Sequence, residues 1–188
     1  MAKIFKLSFK RKRKHITNYH KRFPLVKSDL ERIAIRKSNR RISGQLIKYE
    51  EKGDIILASV YSDSLSKYGW PSRSNKATAY LTGLLLSKKL KEKKLENKEY
   101  ILDIGLSAPV KNSIPFVFAQ GCIDGGIKLR SGVKIEENTY DGSNSYALKL
   151  KDDKQAYERT FGAYLKANIK PEELNALFKT VKGKILNE

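Results

Sequence analysis

Three scarcities set the first limits. The chain has one cysteine, Cys122, among 188 residues, which excludes an internal disulfide and any Cys-based zinc site. That usage fits a reducing cytoplasm. No apolar run approaches the roughly 18–20 residues of a membrane span. No acidic side chain precedes Asp29. The basic start lacks the apolar stretch of a secretory signal, and no cleavage region of a transit peptide separates it from the rest of the chain. His15 and His20 are the two histidines. They lie in a charged segment with no acid or thiol nearby, a poor set for a metal or a catalytic triad.

Positive charge is abundant and unevenly placed. Residues 1–41 hold fifteen Lys/Arg and two acids, so +13 of the chain's net +19 lies in that segment. Such a segment repels itself and has few aliphatic residues for a core. It calls for an external polyanion, nucleic acid before an anionic membrane. Lys10, Arg11, Lys12, Arg13 and Lys14 form a block whose repulsion opposes a free helix or strand. Tyr19, His20 and Phe23 are interleaved with Lys21 and Arg22, planar groups for stacking among groups that neutralise phosphate. A second cluster follows in Arg36, Lys37, Ser38, Asn39, Arg40 and Arg41. Its guanidinium groups suit bidentate phosphate contacts, and Ser38 and Asn39 suit phosphate or sugar hydroxyls. The charge sits on an arm and a strand end rather than on a groove-reading helix, which favours folded RNA over duplex DNA.

Periodicity divides the chain into a basic arm (1–28), an α/β core (29–129), and a loop with a C-terminal helical extension (130–188). Chain after Phe23-Pro24 reads as strand-like. Ile33 and Ile35 alternate with Ala34 and Arg36, a half-buried strand. A second strand is expected over 45–49 and a third over 55–61, the two separated by a Lys52-Gly53 turn. Ala77, Tyr80, Leu81, Leu84 and Leu85 have the spacing of an amphipathic helix that runs into a lysine-rich end, read as a solvated face. A central strand follows over 100–106. Ser113 and Pro115 open a second helix that buries Ile114, Val117, Phe118, Gly121 and Cys122; Gly125-Gly126 ends it, before a short strand near Ile127. Residues 130–150 read as a loop. Two helical stripes come next: Tyr157, Thr160, Phe161, Tyr164 and Leu165, then Leu174, Leu177, Phe178 and Val181. The order is βββαβαβ, a mixed sheet packed with helices.

Other residues invite chemistry. Asp103 on a central strand, Asp124 at a helix end and Asp54 before a strand are candidate magnesium ligands for phosphodiester hydrolysis. The element order resembles that of ribonuclease H, so a metal-dependent nuclease is the alternative function. An ordinary role suits them better: the strand Asp can accept backbone or hydroxyl hydrogen bonds, Asp124 can cap a turn, and the nuclease reading rests on analogy of element order alone. Trp70 suits base stacking or a plug for one edge of the core, and the sequence leaves both open. Cys122 lies on an apolar helix face, as an inert buried thiol would.

Several stretches resemble, in order, the archaeal form of the large-subunit ribosomal protein L-eighteen family, whose eukaryotic counterpart is called L-five. They are Thr17-Asn18-Tyr19-His20-Lys21-Arg22-Phe23-Pro24-Leu25-Val26-Lys27-Ser28, Arg36-Lys37-Ser38-Asn39-Arg40, Leu65 through Tyr68-Gly69-Trp70, Ala79-Tyr80-Leu81-Thr82-Gly83-Leu84-Leu85, Leu102-Asp103-Ile104-Gly105-Leu106 and Phe118-Ala119 to Asp124-Gly125-Gly126. The resemblance covers about residues 8–129. It implies a non-enzymatic protein of the cytoplasmic large ribosomal subunit. Such a protein binds 5S ribosomal RNA, attaches it to 23S ribosomal RNA in the central protuberance and touches neighbouring ribosomal proteins. It uses no cofactor, metal, membrane or small-molecule substrate. The RNA-facing residues it implies are those of the basic block and Thr17, Tyr19, His20, Lys21, Arg22, Lys27 and the 36–41 cluster. Residues 130–150 match the family poorly, and the end of the chain is loosely similar.

Overall fold

The computed structural model describes residues 7–71, 73–131, 147, 153–165 and 168–187. Two short helices, α1 (Lys10–Arg13) and α2 (Tyr19–Lys27), precede the strands β1 (Arg32–Lys37), β2 (Ile42–Lys48) and β3 (Ile55–Tyr61). A 3₁₀ helix (Ser62–Tyr68) leads to α3 (Lys76–Glu92), β4 (Glu99–Asp103), α4 (Ile114–Asp124) and β5 (Lys128–Arg130). The chain ends in α5 (Lys154–Leu165), a 3₁₀ turn (Pro171–Glu173) and α6 (Leu174–Asn187). The strands form one mixed sheet in the order β3-β2-β1-β4-β5. The β1-β2 and β2-β3 pairs are antiparallel; the β1-β4 and β4-β5 pairs are parallel. Apart from Arg130, Ser131 and Ala147, the loop expected over 130–150 lies outside the described residues.

Register separates the faces of the sheet. Ile33 is opposite Leu46 and Leu102, and Ile35 is opposite Gly44. These residues point to the helices, where Phe118 of α4 sits so close to Gly44 that a Cβ there would meet its ring at 2.4 Å. Arg32, Ala34 and Arg36 alternate with them and face the other way, as does Asp103, opposite Ala34.

Helix α3 is buried on more sides than its spacing predicts. Eleven of its residues are buried, because the sheet, α4 and α6 all pack on it. Its start is fixed by Asn75, whose side chain accepts from the Thr78 N–H at 2.9 Å. The buried hydroxyls of Thr82 and Ser87 donate to the Thr78 and Leu84 carbonyls of the same helix, so neither lacks a partner. The α3-α4 contact is backbone on backbone. A Cβ on Gly83 would stand 2.2 Å from the Phe118 carbonyl oxygen, and one on Gly121 would stand 2.2 Å from that of Tyr80.

The end of α4 follows the expected glycine signal. Gly126 adopts φ +90°, and the N–H groups of Gly126 and Ile127 return to the Ile123 and Cys122 carbonyls. Its start differs from expectation. Ser113 occupies the cap position, but its side chain makes no capping bond. Cys122 is fully buried, and desolvation pushes its thiol far above the usual range.

The lysine-rich end of α3 is more than a solvated face. Strand β3 is a sheet edge, and Lys89 and Lys93 donate to its Ser59 and Leu57 carbonyls at 2.9 and 2.6 Å. That occupies acceptors which would otherwise invite another strand. The choice left open for Trp70 falls to the core. Trp70 is 2% exposed, donates to the Thr78 hydroxyl at 2.9 Å and meets Phe178 edge-on. Phe178 lies on the α6 stripe of Leu174, Phe178, Val181 and Ile185 that closes this side.

Adding one methyl at the helix contact should be costly. Gly83→Ala or Gly121→Ala is expected to lower unfolding stability by about 1–3 kcal/mol through overpacking. Gly162→Ala, with nothing within 4 Å of the added carbon, should change it little. Urea midpoints of the three variants test the contrast.

Candidate nucleic-acid interface

The arm is helical, against the expectation from charge repulsion. Helix α1 lasts four residues, all exposed, so its like charges sit in water where screening is strong. It stops as His15 turns to φ +51°. Arg11 Nε donates to the Thr17 hydroxyl and Arg13 Nε to the Ser8 carbonyl, tying the turn. Directly after Phe23-Pro24 the chain stays in α2 through Lys27, and the expected strand begins only at Arg32. Pro24 removes one helical N–H donor. Tertiary anchoring outweighs that loss. Asn18 caps the helix by accepting from the Lys21 N–H at 3.2 Å. Lys21 Nζ donates to the Ser107 carbonyl at 3.3 Å, and Arg22 Nη2 donates to both carboxylate oxygens of Asp54 at 3.0 and 2.9 Å.

That last pair begins a ladder of five charges across the sheet face opposite the helices. Asp54 also accepts from Arg32 at 2.9 Å. Arg32 donates to Asp103 at 3.2 Å, and Arg36 meets both Asp103 oxygens at 3.1 Å. The side chains of Arg32 and Asp103 are 3% and 8% exposed. Asp103 accepts a further bond from the Gly105 N–H at 2.8 Å. Gly105 has φ +63°, and a Cβ there would meet the Arg36 guanidinium carbon at 2.9 Å. Glycine is therefore needed both for the turn and for the close approach of Arg36.

Between the arm and the sheet lies a cleft of about 590 Å³. Arg11, Thr17, Lys21 and Arg22 line it from the arm, and Arg32, Arg36 and Lys37 from β1. On the outer side of the arm, Lys12, Tyr19 and His20 line a second hollow. Lys10, Arg13, Lys14 and Lys27 are exposed and line neither. The β1-β2 hairpin carries the other cluster. Ser38 uses its hydroxyl within the turn, donating to the Arg41 carbonyl and accepting from the Arg41 N–H, both at 3.0 Å. Arg41 pairs with Asp63 at 3.3 Å and lies 5.9 Å from the Tyr61 ring centre. Asn39 and Arg40 are exposed at the tip. The cluster thus splits: Arg36 and Ser38 serve the fold, Lys37 lines the cleft, and Asn39 and Arg40 are exposed at the tip.

Sequence reasoning missed Arg32 and the role of Asp54 and Asp103 as its partners. The strand alternation held the signal, since it places Arg32 and Arg36 on one face. Of the candidate metal ligands, Asp54 and Asp103 meet on Arg32, and Asp124 stands apart. Asp103 points to the ladder face, whereas Asp124 closes α4 on the other side and accepts from the Tyr80 hydroxyl and from Gln120. These two carboxylates do not share a site. Among the described residues, no group of three His, Cys, Asp or Glu is placed to hold a metal ion, and no helix is long and apolar enough to cross a membrane.

An α/β body with a cationic two-helix strap braced to its open sheet face is the form of a protein that lies against a polyanion. Residues 3–101 match the family described as ribosomal large subunit proteins 60S L5 and 50S L18. Over 189 aligned residues the chain is 38% identical to the large ribosomal subunit protein uL18 of Methanococcus maripaludis, with 97% of this chain and 96% of that protein covered. The chain belongs to this family of large-subunit ribosomal proteins. Membership makes it a structural constituent of the large ribosomal subunit, a ribonucleoprotein of translation.

Removing the central carboxylate should collapse the ladder. Asp103→Ala leaves a buried guanidinium short of a partner and is expected to cost about 3–5 kcal/mol. Amide hydrogen exchange in α2 should quicken in the same variant. A urea midpoint close to that of the parent chain would show that the ladder does not hold the strap.

Proposed function

We propose that the protein binds 5S ribosomal RNA through its strap and the tip of the β1-β2 hairpin, and attaches that RNA to 23S ribosomal RNA in the central protuberance. The observation that carries the reading is the placement of charge: +13 of +19 lies in residues 1–41, and the ladder ties α2 of that segment to one face of the sheet. The role is that of a scaffold with no catalytic step. Neighbouring large-subunit proteins are its protein partners.

The strap presents its cations already folded. Ordering a free arm on RNA costs conformational entropy; a strap already ordered by the ladder and the Asn18 cap avoids most of that cost. Phosphates then displace condensed counterions, which gives the affinity its salt dependence. The family motifs around Arg36 and Asp103 support the same reading from the structural side, because they build the ladder that aims the strap.

Titrating a 5S transcript across a range of salt concentrations tests the assignment. Replacing Lys10, Arg11, Lys12, Arg13 and Lys14 with Gln should flatten the plot of log affinity against log salt, by about 3.5–4.5 if each neutralises one phosphate. Arg40→Ala should weaken binding by about 1–3 kcal/mol and leave the urea midpoint in place. Arg36→Ala, in contrast, should lower stability. An unchanged salt slope in the Gln variant would remove the strap from the interface.

A further inference from the structure

Helix α2 has two faces with different duties. Asn18, Lys21, Arg22 and Leu25 turn inward and line the cleft against the sheet. Tyr19, His20 and Phe23 turn outward, with Tyr19 and Phe23 one helical turn apart. Phe9, from the segment before α1, leans on Tyr19 with ring centres 5.4 Å apart at 41°. Together with Lys12 these residues line an open hollow of about 310 Å³. Phe9 and Phe23 are 72% and 68% exposed, and neither contributes to the core. Two phenyl rings exposed to water beside a block of five cations suit an occupant that is flat, apolar on its faces and attached to negative charge.

We infer that this hollow holds one unstacked nucleobase from a single-stranded or bulged segment of the bound RNA. The inference rests on the RNA-binding reading above and adds a subsite to it. Unpaired bases are recognised by stacking on Phe, Tyr and His side chains, with cations tracking the flanking phosphates. Phe9, Tyr19 and Phe23 offer the stacking faces. His20 at the rim offers a ring nitrogen to a base edge, and Lys12 with its neighbours offers charge to the backbone on either side. The volume stands at the lower limit of small-molecule sites, which suits one base rather than a stack. Its concavity favours a base over a membrane surface, which would be met by a flat or convex apolar face.

Stacking and phosphate neutralisation separate by salt dependence, because a neutral base releases no counterions. Phe9→Ala and Phe23→Ala are therefore expected to weaken binding of a 5S transcript about 5- to 150-fold each, the worth of one stacked base. The salt slope should stay that of the parent chain. Phe23→Trp, which keeps a π face, should retain affinity. Circular dichroism of the variants checks the fold, which these exposed rings do not support. Binding within twofold of the parent in the Phe9→Ala, Phe23→Ala double variant would overturn the subsite while leaving the RNA reading intact. A flattened slope in place of a uniform loss would overturn it as well. If the double variant loses binding to vesicles of phosphatidylcholine and phosphatidylglycerol but keeps its affinity for RNA, the hollow belongs to a membrane contact and the inference fails. A parent chain that ignores the transcript overturns both readings together.

Discussion

Arg32 is a guanidinium almost removed from water, with a side chain 3% exposed. Such a group is costly to bury unless carboxylates answer it on more than one side. Asp54 and Asp103 do so, and each then needs further donors of its own. Asp54 finds Arg22 on α2; Asp103 finds Arg36 and the Gly105 N–H. The demand of one buried charge thus spreads outward until it reaches the first ordered helices. The ladder need not add net stability over an apolar substitute. Its contribution is registry, because the strap satisfies these partners in a single placement on the sheet.

The two faces of the sheet divide the work. On one face, apolar side chains and glycine contacts bring α3 and α4 to backbone distance, and α6 closes over Trp70 and Tyr80. This face carries the cohesion of the protein and touches little of the basic segment. On the other face, Arg32, Arg36 and Asp103 stand among Ala34, Ile47 and Ile101, and the strap is held there through hydrogen-bonded charge. A close-packed core behind a charged face keeps the strap at a fixed distance and angle. Stability and recognition therefore draw on different residues, and Arg36 is where they meet.

Where local pattern decided the structure, the sequence was readable. Strand β3 falls on the β-branched run from Ile55, α4 ends at its glycines, and α6 buries Leu174, Phe178 and Val181 of the expected stripe and part of Leu177. Helix α2 was not readable. Local signals at Pro24 oppose a helix, while the anchors that impose one, Asp54 and Ser107, lie 32 and 86 residues from Arg22 and Lys21. The ladder was hidden for the same reason. Arg32 and Asp103 are 71 residues apart and meet only because β1 and β4 pair in parallel. Asp103 has the chemistry of a metal ligand, and its partners Arg32 and Arg36 give it a structural duty. Phe9 escaped notice because nothing in its own neighbourhood marks it; the fold brings Tyr19 beside it.

Pairing within the protein has a consequence for the field it projects. Among the described residues of the basic segment, Arg22, Arg32, Arg36 and Arg41 form ion pairs with Asp54, Asp103 and Asp63. Lys10, Arg11, Lys12, Arg13, Lys14, Lys21, Lys27, Lys37 and Arg40 form no ion pair there. The arginines nearest the sheet thus spend their charge on architecture, and the lysine-rich remainder is left to act on what approaches. Guanidinium suits the first duty, since its planar fork can satisfy several carboxylate oxygens in a dry place. Ammonium suits the second, since a mobile point charge follows a phosphate backbone without demanding one geometry. Geometry-specific recognition then has to come from elsewhere on the same strap. Its exposed rings, Phe23 on the outward face of α2 and Phe9 against Tyr19, are the groups able to provide it.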